Sequence, residues 1–250
     1  MSFVSTKFGQ FRYFDQQLGR PEWRGKRVLD FGGSCGNLLA DSRAAIDEDK
    51  YWCIDVSRDA LAAGRKNFPK AHWTFYNRHS LQYNPDGIKN LSIPNTGEEF
   101  DFILAYSVFT HTSKAEMIDL VTQLRGVLAD GGVLAFTFLD PQWKALEGDP
   151  FPGSNMRWRL EANKHDHPEI AVDSLDIDSL LAKARGAKWV TLVDYELYLD
   201  DEQPSEHSLA GQRAYIVLCD PEHMKTIFTE AEILPPAAPE RQHCCIIRKI

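Results

Sequence analysis

Short apolar runs alternate with helix-period patterns along most of the chain. The runs at 26–32 (KRVLDFG), 51–57 (YWCIDVS), 72–76 (HWTFY), 100–107 (FDFILAYS) and 132–140 (GVLAFTFLD) are rich in β-branched and aromatic residues. They are apolar without strict alternation, which predicts strands covered on both faces, as in a parallel sheet. Between them, 113–129 carries Met117, Val121, Leu124 and Leu128 at helical spacing, with Ser113 placed to cap it and Gly131-Gly132 beyond its end. The same pattern recurs at 174–185 with Ile177, Leu180, Leu181 and Ala184, opened by Asp173 or Ser174 and closed by Gly186. A further helix is expected over 58–67, stopped by Phe68-Pro69. Segments 189–199 and 243–250 read as two more strands, and the stretch between them adds a strand-like run and a short helix. Strand–helix–strand repetition predicts a doubly wound α/β sheet, which binds ligands at the carboxyl ends of its strands.

Two connections are long, 77–99 and 141–172, and such segments are usually functional or carry small elements of their own. No linker composition interrupts the chain. The expectation is one domain over 1–250, with 1–25 as an N-terminal cap segment, 141–172 as a lid-like insertion and 200–242 as an insertion before the last strand.

Composition narrows the class without naming an activity. A chain of 250 residues can bury a core without disulfide or metal staples. Its 36 acidic against 28 basic residues give a formal charge of -8, which argues against a nucleic-acid partner. No apolar run approaches the roughly 18 residues of a membrane span, and the start predicts no signal peptide. The cysteines Cys35, Cys53, Cys219, Cys244 and Cys245 are odd in number and lack zinc-site spacing. Cytoplasm is the expected compartment. The vicinal Cys244-Cys245 pair, in an expected strand, faces opposite ways and fills core.

The sharpest local feature is Asp30-Phe31-Gly32-Gly33-Ser34-Cys35-Gly36, where an apolar strand enters a glycine-rich turn that opens a helix. Glycines there permit a tight turn and close approach to a ligand. Alone the turn is weak evidence, because phosphate and dinucleotide binders share it. Two acids sharpen it. Asp30 stands where a pyrophosphate would be repelled, and Asp55, ending the second strand, is placed to accept from both hydroxyls of a ribose. An adenosine carrying a cationic amino-acid tail suits these positions better than NAD.

With these residues the sequence resembles the class I S-adenosylmethionine-dependent methyltransferases. Asp30 to Gly36 matches the family's first motif, with Ser34 in the middle-glycine place, and Tyr51 to Ser57 looks like the second, with Val56 beside the adenine. Phe100 to His111 looks like the fourth strand and its exit, and Leu124 to Leu134 like the next helix, turn and strand, so the match covers roughly 26–140. The resemblance implies a Rossmann-like fold with a seven-stranded, mostly parallel sheet and a terminal antiparallel strand. It implies S-adenosylmethionine as cofactor, S-adenosylhomocysteine as product, and a cofactor site from Tyr13, Asp30, Gly32, Gly33, Ser34, Gly36, Asp55, Val56, Asn77, Arg78, Ala105 and Tyr106. Where the family often has an acid near the adenine, this chain offers Asn77 and Arg78.

His111, just past the fourth strand, is the leading candidate for a general base or substrate orienter, although a histidine there also suits a helix cap. No Asn-Pro-Pro-Tyr-like motif follows that strand, and Tyr106-Ser107 at its exit supplies no metal carboxylate. Asp140 reads as structural or substrate-adjacent, and His165-Asp166-His167 as a solvated loop; no metal is expected. Trp143, Phe151, Met156, Arg157, Trp158 and Arg159 suit a lid over a substrate that is apolar, or apolar with an anionic group, or equally an anchor for a long loop. The substrate-side candidates are Tyr106, His111, Trp143, Arg157 and Trp158. The expected activity is methyl transfer to an oxygen or nitrogen of a small molecule, such as a secondary metabolite, with no nucleic-acid or membrane partner. The alternative is an enzyme that keeps the cofactor while catalysing a rearrangement or cyclisation.

Overall fold

A computed structural model describes residues 9–144, 153–168, 176–209, 214–237 and 240–250. Its centre is a parallel sheet built from the predicted apolar runs: β1 Val28–Phe31, β2 Tyr51–Asp55, β3 His72–Phe75, β4 Phe100–Ala105 and β5 Leu128–Leu139. Residues of β1, β2, β4 and β5 are buried almost throughout, because helices cover both faces.

β1 pairs with β2 and β4, β2 with β3, and β4 with β5, all parallel. The last strand, β10 Gln242–Arg248, lies antiparallel to β5, and β9 Glu232–Leu234 lies antiparallel to β10. The order β3-β2-β1-β4-β5-β10-β9 holds seven strands of which only β10 is reversed, and from β5 the sheet continues into a three-strand meander, ten strands among the described residues against the seven expected. Side chains alternate between faces with the strand period. Leu29, Ile103, Phe136 and Cys245 join one apolar cluster, while Val28, Leu104, Ala135 and Cys244 join the other. The vicinal cysteines therefore do point to opposite faces, as core.

Local signals set the helices. α3 Arg58–Asn67 is capped by Ser57, and α4 Lys114–Gly126 starts with a full capping box between Ser113 and Glu116. α4 buries Met117, Leu120, Val121 and Leu124; Leu128, expected to extend it, instead opens β5. Helices α1 Gln10–Gln17 and α2 Asn37–Asp41 cover the face holding Tyr13, Phe14, Trp23 and Leu38.

The segment 189–199 departs from its sequence reading. It is a hairpin rather than one strand, with β6 Trp189–Val193 and β7 Glu196–Leu199 joined at Asp194-Tyr195. Asp194 takes a left-handed φ of 54°, which aspartate tolerates better than most residues, and its carboxylate accepts the Ala214 N–H at 2.8 Å. β6 also pairs with β8 Tyr215–Cys219, and β8 meets β5 only at Leu139, opposite Leu218. This meander packs with α5 Asn155–Asp166 and α6 Ile177–Lys183 over a third apolar cluster that includes Leu139, Met156, Leu160, Leu192 and Ile216. The stretch 200–242 holds α7 Glu206–Leu209, β8, α8 Pro221–Ile227 and β9, of which β9 belongs to the central sheet. Asp176, not Asp173 or Ser174, caps α6; Asp173, Ser174 and Phe151 lie outside the described residues.

Candidate functional site

At the carboxyl edge of the sheet lies a cavity of about 970 Å³, reaching from the β1 exit to the meander. That is at the upper end of the size range for small-molecule sites. Its floor is the turn after β1. Gly32 has φ +74°, and a Cβ there would stand 2.4 Å from Val108 Cγ2, so the turn requires glycine at this position. Ser34, in the middle-glycine place, adopts the same left-handed region with φ 53°. Its backbone N–H donates to Asp55 Oδ2 at 2.8 Å, which holds the turn against the β2 exit.

Asp55 lines the cavity and is 9% exposed. Its other oxygen accepts the Ser57 N–H at 2.7 Å. Burial raises its pKa, and the backbone donors oppose that rise. Each carboxylate oxygen keeps a lone pair, so two vicinal hydroxyls can be bound together. Val56 and Gly32 line the cavity beside it, and Ile54 and Tyr76 extend its apolar wall.

Asp30 is placed elsewhere than expected. It is 1% exposed, beneath the turn, and is not a cavity-lining residue. The Tyr51 hydroxyl donates to its Oδ2 at 2.5 Å, and a Cβ on Gly33 would sit 2.5 Å from that same oxygen. Burial pushes the Asp30 carboxyl up to about 7, with the Tyr51 hydroxyl opposing. Asp30 thus shapes the turn from below. Gly33, Gly36, Ala105 and Asn77 also lie outside the lining, and Asn77 Oδ1 accepts from Asn84 Nδ2 at 3.2 Å. Arg78 does line the cavity, but its Nη1 donates to Leu91 O at 2.8 Å and Asp119 Oδ2 at 3.1 Å, stapling the 77–99 connection to α4.

The β4 exit forms the second wall. Tyr106 lines the cavity and its hydroxyl donates to Glu240 Oε2 at 2.6 Å. Tyr13, expected against the cofactor, stands edge-on to the Tyr106 ring at 5.8 Å and donates to the Gln242 carbonyl. It supports Tyr106 rather than lining the cavity. Ser107 has φ 58°, and its N–H donates to Thr137 Oγ1, whose hydroxyl donates to Gln242 Oε1.

His111 ends the 3₁₀ turn Phe109–His111 and lines the cavity. Its Nδ1–H donates to the Tyr215 carbonyl at 3.1 Å, so that nitrogen carries the proton and Nε2 is left as an acceptor. Burial is the main cause that pushes the imidazole down to about 4, with a smaller contribution from the Arg159 charge. The ring is neutral at pH 7. Tyr83, from the 77–99 connection, meets it edge-on at 5.5 Å. Neither Tyr83 nor Tyr215 is signalled by the sequence; each reaches the site through an irregular loop or an inserted strand.

The other substrate-side candidates separate. Trp143 packs against His243 and does not line this cavity. Arg157 is on the surface in ion pairs with Glu161 and Asp178. Trp158 borders a smaller cavity next to His111. Asp140 lies 3.6 Å from His243 Nε2. Among the described residues no group of His, Cys, Asp and Glu could hold a metal, and no helix is long and apolar enough to cross a membrane.

Residues 29–134 match a family model described as a methyltransferase domain. No curated protein matches the chain significantly. Among solved structures, an S-adenosylmethionine-dependent methyltransferase from Clostridium acetobutylicum superposes with a TM-score of 0.52 at 11% identity, over 98% of this chain and 92% of that one. CalS10, an amino pentose methyltransferase from Micromonospora echinaspora, gives 0.52 at 15% identity over 98% and 92%. The pyocyanin biosynthetic protein PhzM gives 0.51 at 13% identity over 96% of this chain, which spans about half (54%) of that protein. At such identities these likenesses are of fold.

Proposed function

We propose that this chain, whose residues 29–134 match a methyltransferase-domain model, is a class I S-adenosylmethionine-dependent methyltransferase that methylates an oxygen or nitrogen of a small molecule. One observation carries this reading: a single cavity joins the Gly32–Asp55 end to His111, Tyr83 and Tyr215. Cofactor-side residues and a neutral imidazole thereby share one cavity. CalS10 is an amino pentose methyltransferase and PhzM a pyocyanin biosynthetic protein, and both agree with a small acceptor.

The residues present fit the cofactor. Asp55 offers a partly buried carboxylate to the ribose hydroxyls, Ile54, Val56 and Tyr76 offer an apolar wall, and the turn at Gly32 admits a ligand where a side chain would not fit. When bound, the cofactor supplies an electrophilic methyl on a sulfonium whose leaving thioether needs no protonation. Alignment and one proton remain for the protein. His111 Nε2 accepts the proton that the acceptor's O–H or N–H gives up as its bond to the methyl carbon forms, and Tyr215 holds the ring in that tautomer. Tyr106, fixed by Glu240 and backed by Tyr13, forms a rigid wall beside the reacting groups.

Denaturing the purified protein and identifying released molecules by mass spectrometry would name the acceptor or its product. Incubation of that acceptor with methyl-labelled cofactor is expected to move the label. Undiminished turnover with S-adenosylhomocysteine in place of the cofactor would overturn methyl transfer and favour a rearrangement.

A further inference from the structure

Beside the main cavity lies a second chamber of about 210 Å³. His111 and Ser107 belong to the walls of both, so the imidazole stands between them. Thr110, Trp158, Arg159, Glu240 and Arg241 are among the other residues that line the small chamber. Trp158 has two cations near its ring: the Arg159 guanidinium is 5.0 Å from the ring centroid and that of Arg241 is 5.2 Å away.

Arg159 is the informative member. It sits on α5, and burial opposes its charge. Its Nε is buried without a hydrogen-bond partner, and among the described residues it forms no ion pair. Asp166 attracts this charge without pairing with it, a weakly compensated buried cation is costly, and a guanidinium is shaped to take a carboxylate by two parallel bonds. Arg241 differs, since its Nη1 donates to Asn155 Oδ1 at 3.4 Å. The Glu240 carboxylate on the same wall limits how much negative charge the chamber accepts. These features favour a single negative charge over a dianion.

We propose that this chamber takes a carboxylate carried by the methyl acceptor, with Arg159 as its counter-ion and Trp158 against its apolar part. The proposal rests on the methyltransferase reading of the main cavity. An apolar cavity of about 150 Å³ can hold benzene, so the chamber has room for a carboxylate and several carbons. An acceptor anchored there passes His111 on its way into the main cavity, and its nucleophile stands on the His111 side. Pairing Arg159 with an anion also removes a positive charge that disfavours protonation of His111. A bound carboxylate therefore makes His111 a better base.

The test uses the full chain saturated with S-adenosylhomocysteine and titrated in a calorimeter. The probes are benzoate, 4-hydroxybenzoate and indole-3-acetate, each beside its primary amide, with phenyl phosphate as the dianion. At least one acid is expected to bind about tenfold or more tightly than its amide, as a charge-assisted pair requires. That preference is expected to vanish in Arg159→Met and to survive in part in Arg159→Lys, with affinity for S-adenosylhomocysteine unchanged. No preference for any acid, or an undiminished one in Arg159→Met, would overturn the proposal. Tighter binding of phenyl phosphate than of benzoate would overturn the choice of a carboxylate. If Arg159→Met does not fold, Arg159→Gln replaces it, and the acid–amide contrast in the unmodified chain still decides. Failure of the unmodified chain to bind S-adenosylhomocysteine would strike the methyltransferase reading instead.

Discussion

The imidazole of His111 and the carbonyl of Tyr215 are joined by one 3.1 Å hydrogen bond between residues 104 positions apart. Burial keeps the ring neutral, and the bond leaves Nε2 as its free acceptor. General acid–base groups typically contribute about 10²- to 10⁴-fold. His111→Gln is therefore expected to lower kcat by about 10² or more while leaving affinity for S-adenosylhomocysteine unchanged. Full turnover in the variant would remove the proton-transfer role.

Asp55 connects the β1 turn to the second strand and faces the cavity. Hydrogen bonds to charged groups are worth about 1.5–3 kcal/mol each. Asp55→Ala should weaken S-adenosylhomocysteine by about 10²-fold in calorimetry, with a lower Tm as Ser34 and Ser57 lose their acceptor. An unchanged dissociation constant would defeat the ribose assignment.

Gly32→Ala places a methyl group 2.4 Å from Val108 Cγ2 on a backbone with φ +74°. Strain of this type costs about 1–3 kcal/mol, so Tm should fall and cofactor affinity with it. Val108→Ala added to Gly32→Ala relieves the clash but not the backbone strain, and should recover part of the loss. A double-mutant cycle of melting curves measures that coupling; strictly additive effects would contradict the contact.

Two buried groups push stability in opposite directions as pH changes. His111, lowered to about 4 from 6.5, binds its proton more readily when unfolded, so it costs stability as pH falls through the window between those values. Asp30, raised to about 7 from 3.8, binds its proton more readily when folded, so its contribution is present at low pH and lost as pH rises toward 7. Each shift corresponds to about 3–4 kcal/mol, and they oppose one another between pH 4 and 6.5. Denaturant melts across that range should show His111→Gln losing stability with rising pH relative to the unmodified protein. Asp30→Asn should show the reverse relative slope. Parallel profiles for all three proteins would contradict both assignments.

Much of the central sheet was legible because strands buried on both faces must be apolar runs, and 26–32, 51–57, 72–76, 100–107 and 132–140 advertise that. The Ser113 cap and the turn at Gly32 were equally visible, since backbone geometry there depends on neighbouring residues alone. The hairpin at 189–199 was missed because its turn is Asp194-Tyr195, with no glycine or proline to break an apolar pattern. Trp143 and Arg157 were grouped with Trp158 by sequence proximity, yet they lie against His243 and on the surface.

The 36 acids noted at the start acquire different meanings by depth. The sequence by itself determined the layered sheet, the glycine turn and Asp55 at a strand end, because these follow from periodicity, from φ and from order along the chain. Only the tertiary structure decided that Asp30 lies beneath the turn, that Tyr215 fixes the His111 tautomer, and that Arg159 comes beside that same histidine. Those relations join residues 21, 104 and 48 positions apart, and packing rather than local pattern sets them.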